Sequence, residues 1–458
     1  MLNWWRHNLS LSFVLLIGVM TGYVVLTAAP LLTARPILIL GLFAVMVYFL
    51  VMVISPEKAL MVLLLSRALL DRILESTRID IAGQNMGLGA GINLAAIILT
   101  LVFWFRASGT VFPKNLLRIW CVFLGMTFFS VFYTPDPGRA LRLWFNFITY
   151  FCMLMLPFFL VDTQDKKHLW WNVLLGSLIL PVVFADIDWL RTGQASLNGG
   201  ARVDGTFAHP NILAFYLGLG IILVVYALLR KDWKWLFGGR GLFKLLAVNM
   251  LFLLLMTKTR NAWIAFWFTF FLYGCRHDRR LAVALFVLPP LALLIPSVLE
   301  RAQELFRPDY FSLYGGENSW VWRLELWQSS LPWIFRNPFM GYGLCSFVPL
   351  SVNFFKSFAG VGAHNVFIEL LFETGVIGLM AYLGIFGVIL KRLFESTADH
   401  ESEGNGRART LAAVYIISYL VINMADNLLY YLSFNWYFWF FAGMLLVEHC
   451  KFSVRASS

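Results

Sequence analysis

Apolar runs of roughly 17 to 25 residues recur from one end of this chain to the other, each long enough to cross a ~30 Å hydrocarbon layer as a helix. They fall at about 10–28, 36–54, 88–105, 115–133, 142–161, 168–187, 211–229, 241–257, 281–297, 366–390, 409–425 and 434–449, with two shorter runs at 58–71 and 262–275. A single soluble core cannot hold that many. Only 13% of the 458 residues are charged and 60% are hydrophobic, against roughly 25% charged in soluble domains. The expectation is an all-α polytopic membrane protein with about 12–14 transmembrane helices; the range allows for 58–71, which carries Arg67, and the short run 262–275. The first run, after Arg6, is read as a retained span, because further spans follow at once and no small-residue cleavage site stands out. No internal repeat of the kind common in transporters is visible.

The formal net charge of +11 could point to nucleic acid, but the basic residues sit in short clusters between apolar runs, which is topology information. Arg230, Lys231, Lys234, Arg240 and Lys244 form one such connection; Arg276, Arg279 and Arg280 form another; Lys391, Arg392, Arg407 and Arg409 a third. Placing these in the cytoplasm puts Lys166, Lys167, Arg106, Lys114, Arg118, Lys451 and Arg455 on the same side, with both termini cytoplasmic. No nucleic-acid partner is expected. Five cysteines, Cys121, Cys152, Cys275, Cys345 and Cys450, have no metal or redox spacing.

The alternate connections then face outward: 188–210, the hairpin 258–261, the long stretch 298–363 and the tip near Asp426. The long one, about 66 residues and rich in Trp, Phe, Tyr and Pro, is expected to fold against the membrane surface. Its stretch Trp320 to Phe335 reads as a short amphipathic helix in the interface.

These connections gather Arg191, Arg202, Asp204, His209, Lys258, Arg260, Arg323, Glu325 and His364. Several guanidinium groups aimed at one outer pocket suit a diphosphate, since each offers paired donors to phosphate oxygens and stays charged. Each residue also has a plainer reading. Arg260, in Thr257-Lys258-Thr259-Arg260-Asn261, could be a headgroup anchor. Arg323 could be the polar side of an amphipathic helix; Glu325, two residues on, cannot pair with it across one helix face and would orient it only through tertiary contact. Asn365 is a natural N-cap for the helix that follows, which leaves His364 as a loop residue or as an acid or base near neutral pH. Asp204 and His209 lie among turn formers. Glu369 and Glu373 follow His364 on one helix at i to i+4 spacing, lining an acceptor path or bonding within the bundle.

Together these stretches resemble the O-antigen ligase and Wzy-type polysaccharide polymerase superfamily, over about 200–390. The most specific part is His364-Asn365, nine residues, then Gly375-Val376-Ile377-Gly378. Gly205-Thr206-Phe207 with His209-Pro210-Asn211, the Thr259-Arg260 tip, Arg323 ahead of Trp327, and Asn337-Pro338-Phe339-Met340-Gly341-Tyr342-Gly343 support it. The resemblance implies a GT-C-like bundle in a bacterial inner membrane, with residues 1–187 as N-terminal helices, 188–390 as the catalytic region including periplasmic loop 298–363 and its short amphipathic helices, and 391–458 as C-terminal helices. It implies that Arg260 and Arg323 hold the diphosphate of an undecaprenyl-diphosphate-linked glycan and that His364 is the essential histidine. Arg202, Arg191, Lys258, Asp204, His209, Asn365, Glu325 and Glu369 are expected around the substrates.

No cofactor or metal is expected: Asp186-Ile187-Asp188 has Asp-x-Asp spacing but stands at a helix end. The expected partners are the lipid-linked glycan, an acceptor glycan or lipid, membrane lipid, and a chain-length regulator and flippase. A polymerase of exopolysaccharide or O-antigen repeat units is favoured by Arg67-Ala68-Leu69-Leu70-Asp71-Arg72, which resembles that branch. The alternatives are a ligase to lipid A core and a flippase for lipid-linked sugars; a flippase would place ionisable groups near the midplane.

Overall fold

The structure is a computed structural model that describes residues 46–77, 79–81, 84–107, 112–197, 201–235, 239–292, 294, 321–355, 360–395 and 402–448. The expected span 10–28, most of 36–54, the first part of loop 298–363, both termini and Cys450 lie outside the described residues.

Within them, the expected apolar runs are helical, with 58–71 broken between Arg67 and Asp71. In chain order these are α1 (Pro56–Arg67), α2 (Asp71–Ser76), α3 (Leu88–Arg106), α4 (Lys114–Ser130), α5 (Pro137–Leu160), α6 (Gln164–Leu197), α7 (Pro210–Leu229), α8 (Gly239–Met256), α9 (Arg260–His277) and α10 (Arg279–Ala292). Then come α11 (Val321–Arg336), α12 (Phe347–Phe354), α13 (Val366–Phe394), α14 (Glu403–Ile422) and α15 (Leu432–Val447). A small antiparallel hairpin, β1 (Ile79–Ile81) with β2 (Gln84–Met86), sets Ile79 opposite Met86 and is the only sheet among the described residues. Among the described residues six helices, α3, α5, α6, α7, α8 and α13, are long and apolar enough to cross a membrane by length and composition. The chain is therefore a multi-pass membrane protein.

The bundle is built around α15. Its sequence, LSFNWYFWFFAGMLLV, is apolar on every side, and residues Ser433 to Val447 are all buried, as an all-round apolar helix requires when neighbours enclose it. It packs on α5, while α4 lies on α13, α8 on α7, and α14 on α9. Aromatic rings fill the centre: Tyr419 stacks on Phe438 at 3.9 Å, and Trp439 meets Trp120 edge-on at 5.2 Å, geometries that add to plain area burial.

At one end, charged groups close the bundle. Lys167 reaches Glu448 at 3.3 Å and Asp232 at 3.6 Å. Arg230 pairs with the same two carboxylates, and Tyr226 donates to Glu448 Oε2 at 2.9 Å. Burial of this kind demands pairing. The arginine- and lysine-rich connections Lys166-Lys167 and 230–244 meet here, and the polar tips that interest us gather at the other end.

Near that second end α13 is interrupted. Gly375 takes φ 66°, a left-handed value inside an otherwise helical run, and the break frees backbone groups that lipid cannot satisfy. The Asn337–Gly343 segment supplies the partners. Tyr342 N–H donates to the Phe372 carbonyl (3.0 Å), Gly343 N–H to that of Glu373 (2.9 Å), and Val376 N–H to that of Pro338 (2.8 Å). Two separate glycine motifs of the sequence are thus the halves of one joint. A methyl group at Gly375 would fall on the Phe339 carbonyl, whereas one at Gly387, further along α13, meets nothing.

Gly375→Ala is therefore expected to cost at least about 2 kcal/mol through strain and displacement of the docked loop, seen as a lower thermal midpoint of the detergent-purified protein. Gly387→Ala in the same helix is expected to leave the midpoint unchanged or raised.

Candidate active site

Loop 201–209 is held from beneath by the break between α1 and α2. Asp71 uses one carboxylate oxygen on Arg67 Nη1 (3.1 Å) and the other on the Ala208 N–H (3.2 Å). Arg72 N–H donates to the Thr206 carbonyl at 3.0 Å, Thr206 Oγ1 to that of Ala68 at 2.8 Å, and the Arg72 guanidinium pairs with Asp204. From α6, Asp188 Oδ2 accepts the Asp204 and Gly205 N–H groups at 3.1 and 3.0 Å. Asp186 accepts from Asn249 Nδ2 at 2.8 Å, so both carboxylates of the Asp-x-Asp stretch are engaged by the protein. The Arg67–Arg72 motif, read from sequence as a sign of acceptor type, is in the structure a brace.

The loop delivers Arg202 to the tip of the α8–α9 hairpin. Its guanidinium donates to the Thr257 carbonyl (2.8 Å), Asn211 Oδ1 (2.7 Å) and Thr259 Oγ1 (2.8 Å), three bonds that fix a rotamer-rich side chain. Lys258 adopts φ 53° and donates to the Ala201 carbonyl at 3.1 Å, tying tip to loop. Arg260, the first residue of α9, is exposed beside Arg202. Next to it, Asn261 Nδ2 donates to the Ala425 carbonyl at 3.0 Å.

That same carbonyl accepts from Arg323 Nη1 at 3.0 Å, which brings α11 in. The Arg323 guanidinium also lies 5.6 Å from the Trp322 ring, and its buried Nε has no hydrogen-bond partner among the described residues. His364 follows, edge-on to Trp322 at 5.7 Å and at φ 49°. Lys258 and His364 are two of the three non-glycine residues with positive φ among the described residues; such strain persists only where surroundings impose it, and it collects at functional sites. The α11 indole of Trp327 holds the neighbouring Ala363 carbonyl at 2.7 Å.

Asp426 completes the cluster. It accepts from Asn211 Nδ2 (3.3 Å) and the Tyr431 hydroxyl (3.0 Å), and its charge acts on Arg202, Arg323, His209 and His364. Sequence reading noted the tip and gave the residue no role. The available signal was a polar pair, Asp426-Asn427, at a sharp turn between two apolar helices, the same signal that marked Thr257–Asn261.

Burial, reinforced by neighbouring Arg260, pulls the Arg202 and Arg323 guanidiniums below their ordinary range, yet arginine remains charged there. Burial first, then Arg323, holds the His364 imidazole below its usual value of 6.5, with Asp426 pulling the other way. Burial and Arg202 do the same to His209, whose Nδ1 accepts the Asn211 N–H at 3.1 Å as the cap of α7; the neutral ring then carries its proton on Nε2. The result is three guanidiniums, two neutral-leaning imidazoles and one carboxylate gathered at one end of the bundle.

Other expected site residues are placed differently. Asn365 spends Oδ1 on the Phe367 and Ile368 N–H groups at 3.0 and 3.2 Å, so it is the helix cap. Asp204 and Lys258 are engaged by the bracing described above. Arg191 and Glu325 are exposed, and no hydrogen bond or ion pair among the described residues ties either to the cluster. Glu369 is buried, with its oxygens taken by Asn427 and Tyr430.

Residues 245–383 match the O-Antigen ligase family, a segment that contains Arg260, Arg323, His364 and the Gly375 joint. Over that segment the chain is similar to the O-antigen ligase superfamily. Two relatives extend the likeness. One, the exopolysaccharide production protein ExoQ of Rhizobium meliloti, is 25% identical over 297 residues, 60% of this chain and 65% of that protein. The ComP-specific O-oligosaccharyltransferase of Acinetobacter baylyi is 22% identical over 314 residues, 63% of this chain and 54% of that protein. The chain thus spans less than two thirds of the length of either. Arg202 and Asp426 lie outside the matched segment, so the cluster draws part of its residues from the sequence that flanks it.

Asp71→Ala is expected to destabilise the protein by about 3–5 kcal/mol, because it strands the buried Arg67 charge. Arg72→Ala removes only a half-exposed pair and is expected to cost at most about 1 kcal/mol. Thermal unfolding in detergent compares the two.

Proposed function

We propose that this protein is a glycosyltransferase that moves a glycan from an undecaprenyl-diphosphate carrier to an acceptor sugar hydroxyl, on the periplasmic face of the bacterial inner membrane. The observation that carries the reading is the convergence of Arg202, Arg260 and Arg323, from three separate stretches, on the Asp426 turn beside His364. Arginine forks suit a diphosphate, and fixed positive charge in a partly buried site stabilises the negative charge that grows on the leaving group. In the proposed step the acceptor oxygen attacks the anomeric carbon from the face opposite the carrier. The bond from that carbon to the carrier oxygen breaks, and its electron pair leaves with the diphosphate. The acceptor proton passes to the neutral imidazole of His364. The charge of Asp426 favours the imidazolium that forms on His364 and offsets part of the positive charge while the donor is absent. Anomeric configuration inverts. All of these groups sit at one end of the bundle, as surface chemistry needs and as a flippase with a midplane site does not.

Within this reading we assign repeat-unit polymerisation as the reaction, supported by similarity to an exopolysaccharide production protein. The second relative, named as ComP-specific, favours another acceptor; a ligase to lipid A core belongs to that alternative. A deletion strain separates them: single lipid-linked repeat units accumulate when a polymerase is lost, and long undelivered chains when a ligase or transferase is lost. A chain-length regulator and a flippase are the proposed protein partners of a polymerase.

Arg260→Ala, Arg323→Ala and His364→Ala are each expected to lower glycan transfer by at least about 100-fold with normal protein levels, measured on membranes of the complemented strain. Near-normal transfer by any of them would remove that residue's role. A base works unprotonated, and His364 is held below 6.5, so transfer is expected to persist at pH 6.5 and to fall only at lower pH, as the imidazole takes up its proton. An acid limb centred above 6.5 would contradict the assignment.

A further inference from the structure

Five residues beyond His364 on the same strand of chain, Glu369 turns into the bundle, with 4% of its surface exposed. It accepts from the Asn427 side-chain amide on one oxygen and from the Tyr430 hydroxyl at 2.6 Å on the other. Those two donors bracket the acid of the cluster. Asn427 directly follows Asp426 and donates its N–H to Asp426 Oδ1 at 2.8 Å; Tyr430 directly precedes Tyr431, whose hydroxyl donates to that same oxygen at 3.0 Å. The turn is held from other sides as well, by Val366 N–H on the Asn423 carbonyl (2.8 Å) and Asn435 Nδ2 on the Leu428 carbonyl (2.6 Å). Among the described residues, Glu369 alone grips side chains on both flanks of the Asp426–Tyr431 pair.

A sugar-binding role does not fit this carboxylate. The cavity beside it, lined by Glu373, Leu344, Asn427 and Tyr430 among others, has a volume of about 10 Å³, room for about one water. Its lone pairs already face protein donors, and removing such an acceptor leaves buried donors unmet. One turn on, Glu373 accepts the Phe347 N–H at 3.2 Å, so the same face of α13 braces the loop after Gly343 too.

We infer that Glu369 is a positioning residue of the proposed transferase: it sets the place of Asp426 and Tyr431 relative to His364 without touching substrate. The inference rests on the transferase reading given above. It makes α13 the common support of the imidazole, at its start, and of the carboxylate turn, through Glu369.

The test uses the full chain in detergent with lipid-linked glycan extracted from a strain deleted for this gene, and compares wild type, Glu369→Gln, the double variant Glu369→Gln/Asn427→Asp, Asp426→Asn and Arg260→Ala. The double variant exchanges carboxylate and amide across one hydrogen bond, so charge, donors and acceptors are conserved, and the oxygen of the introduced amide still accepts from the Tyr430 hydroxyl. Glu369→Gln is expected to lower kcat roughly 10- to 100-fold, as small displacements of reacting groups do, with donor KM little changed; the double variant is expected to recover most of the loss. Wild-type turnover in Glu369→Gln, a loss confined to KM, or a double variant no better than the single one would each overturn the inference. In any of those cases inactive Arg260→Ala and Asp426→Asn keep the transferase reading standing, whereas normal transfer by Arg260→Ala removes that reading itself.

Discussion

The carbonyl oxygen of Ala425 accepts from Asn261, at the α8–α9 tip, and from Arg323, on α11. Through it the tip, the long connection and the turn before α15 share one anchor. Bonds to a backbone carbonyl suit this role, because the acceptor cannot rotate away as a side chain can. A guanidinium that spends one N–H on such an anchor loses rotamer freedom once, at folding, and keeps its remaining donors for a ligand. Arg202 is treated likewise by Thr257, Thr259 and Asn211. Arg260, exposed between these two fixed cations, therefore enters a field already arranged.

Much of the architecture was legible in the sequence because a bilayer imposes a length on every crossing. The runs at 88–105, 211–229 and 366–390 could be little other than helices, and the polar tips between them had to lie at the ends. Which polar residues meet at an end is also partly legible, as Arg202, Arg260, Arg323 and His364 show. What each polar atom does there is not. Asp204, Lys258 and Asn365 look like Arg260 from sequence, yet their bonds go to Arg72, to a carbonyl and to a helix N-terminus. Asp426 was passed over for the complementary reason, since a lone carboxylate at a turn gains its meaning only from the four charged or titratable neighbours that the fold brings to it.

The two ends of the bundle use charge differently. At the end holding Lys167 and Arg230, cations and carboxylates are matched within bonding distance, and desolvation is met by pairing. At the other, three guanidiniums face one carboxylate. Such an excess is unfavourable for the empty protein, and the bracing by Asp71, Asp188 and Glu369 holds it in place through loops whose own charges would push apart. The proposed diphosphate would bring the missing negative charge.

The break at Gly375 has a mechanical meaning. The nine residues before it, a short platform, and Val376 behind it, at the head of the longer shaft, are bonded to the one Asn337–Gly343 loop, so the loop fixes the angle between platform and shaft, and with it the place of the imidazole at the platform's edge.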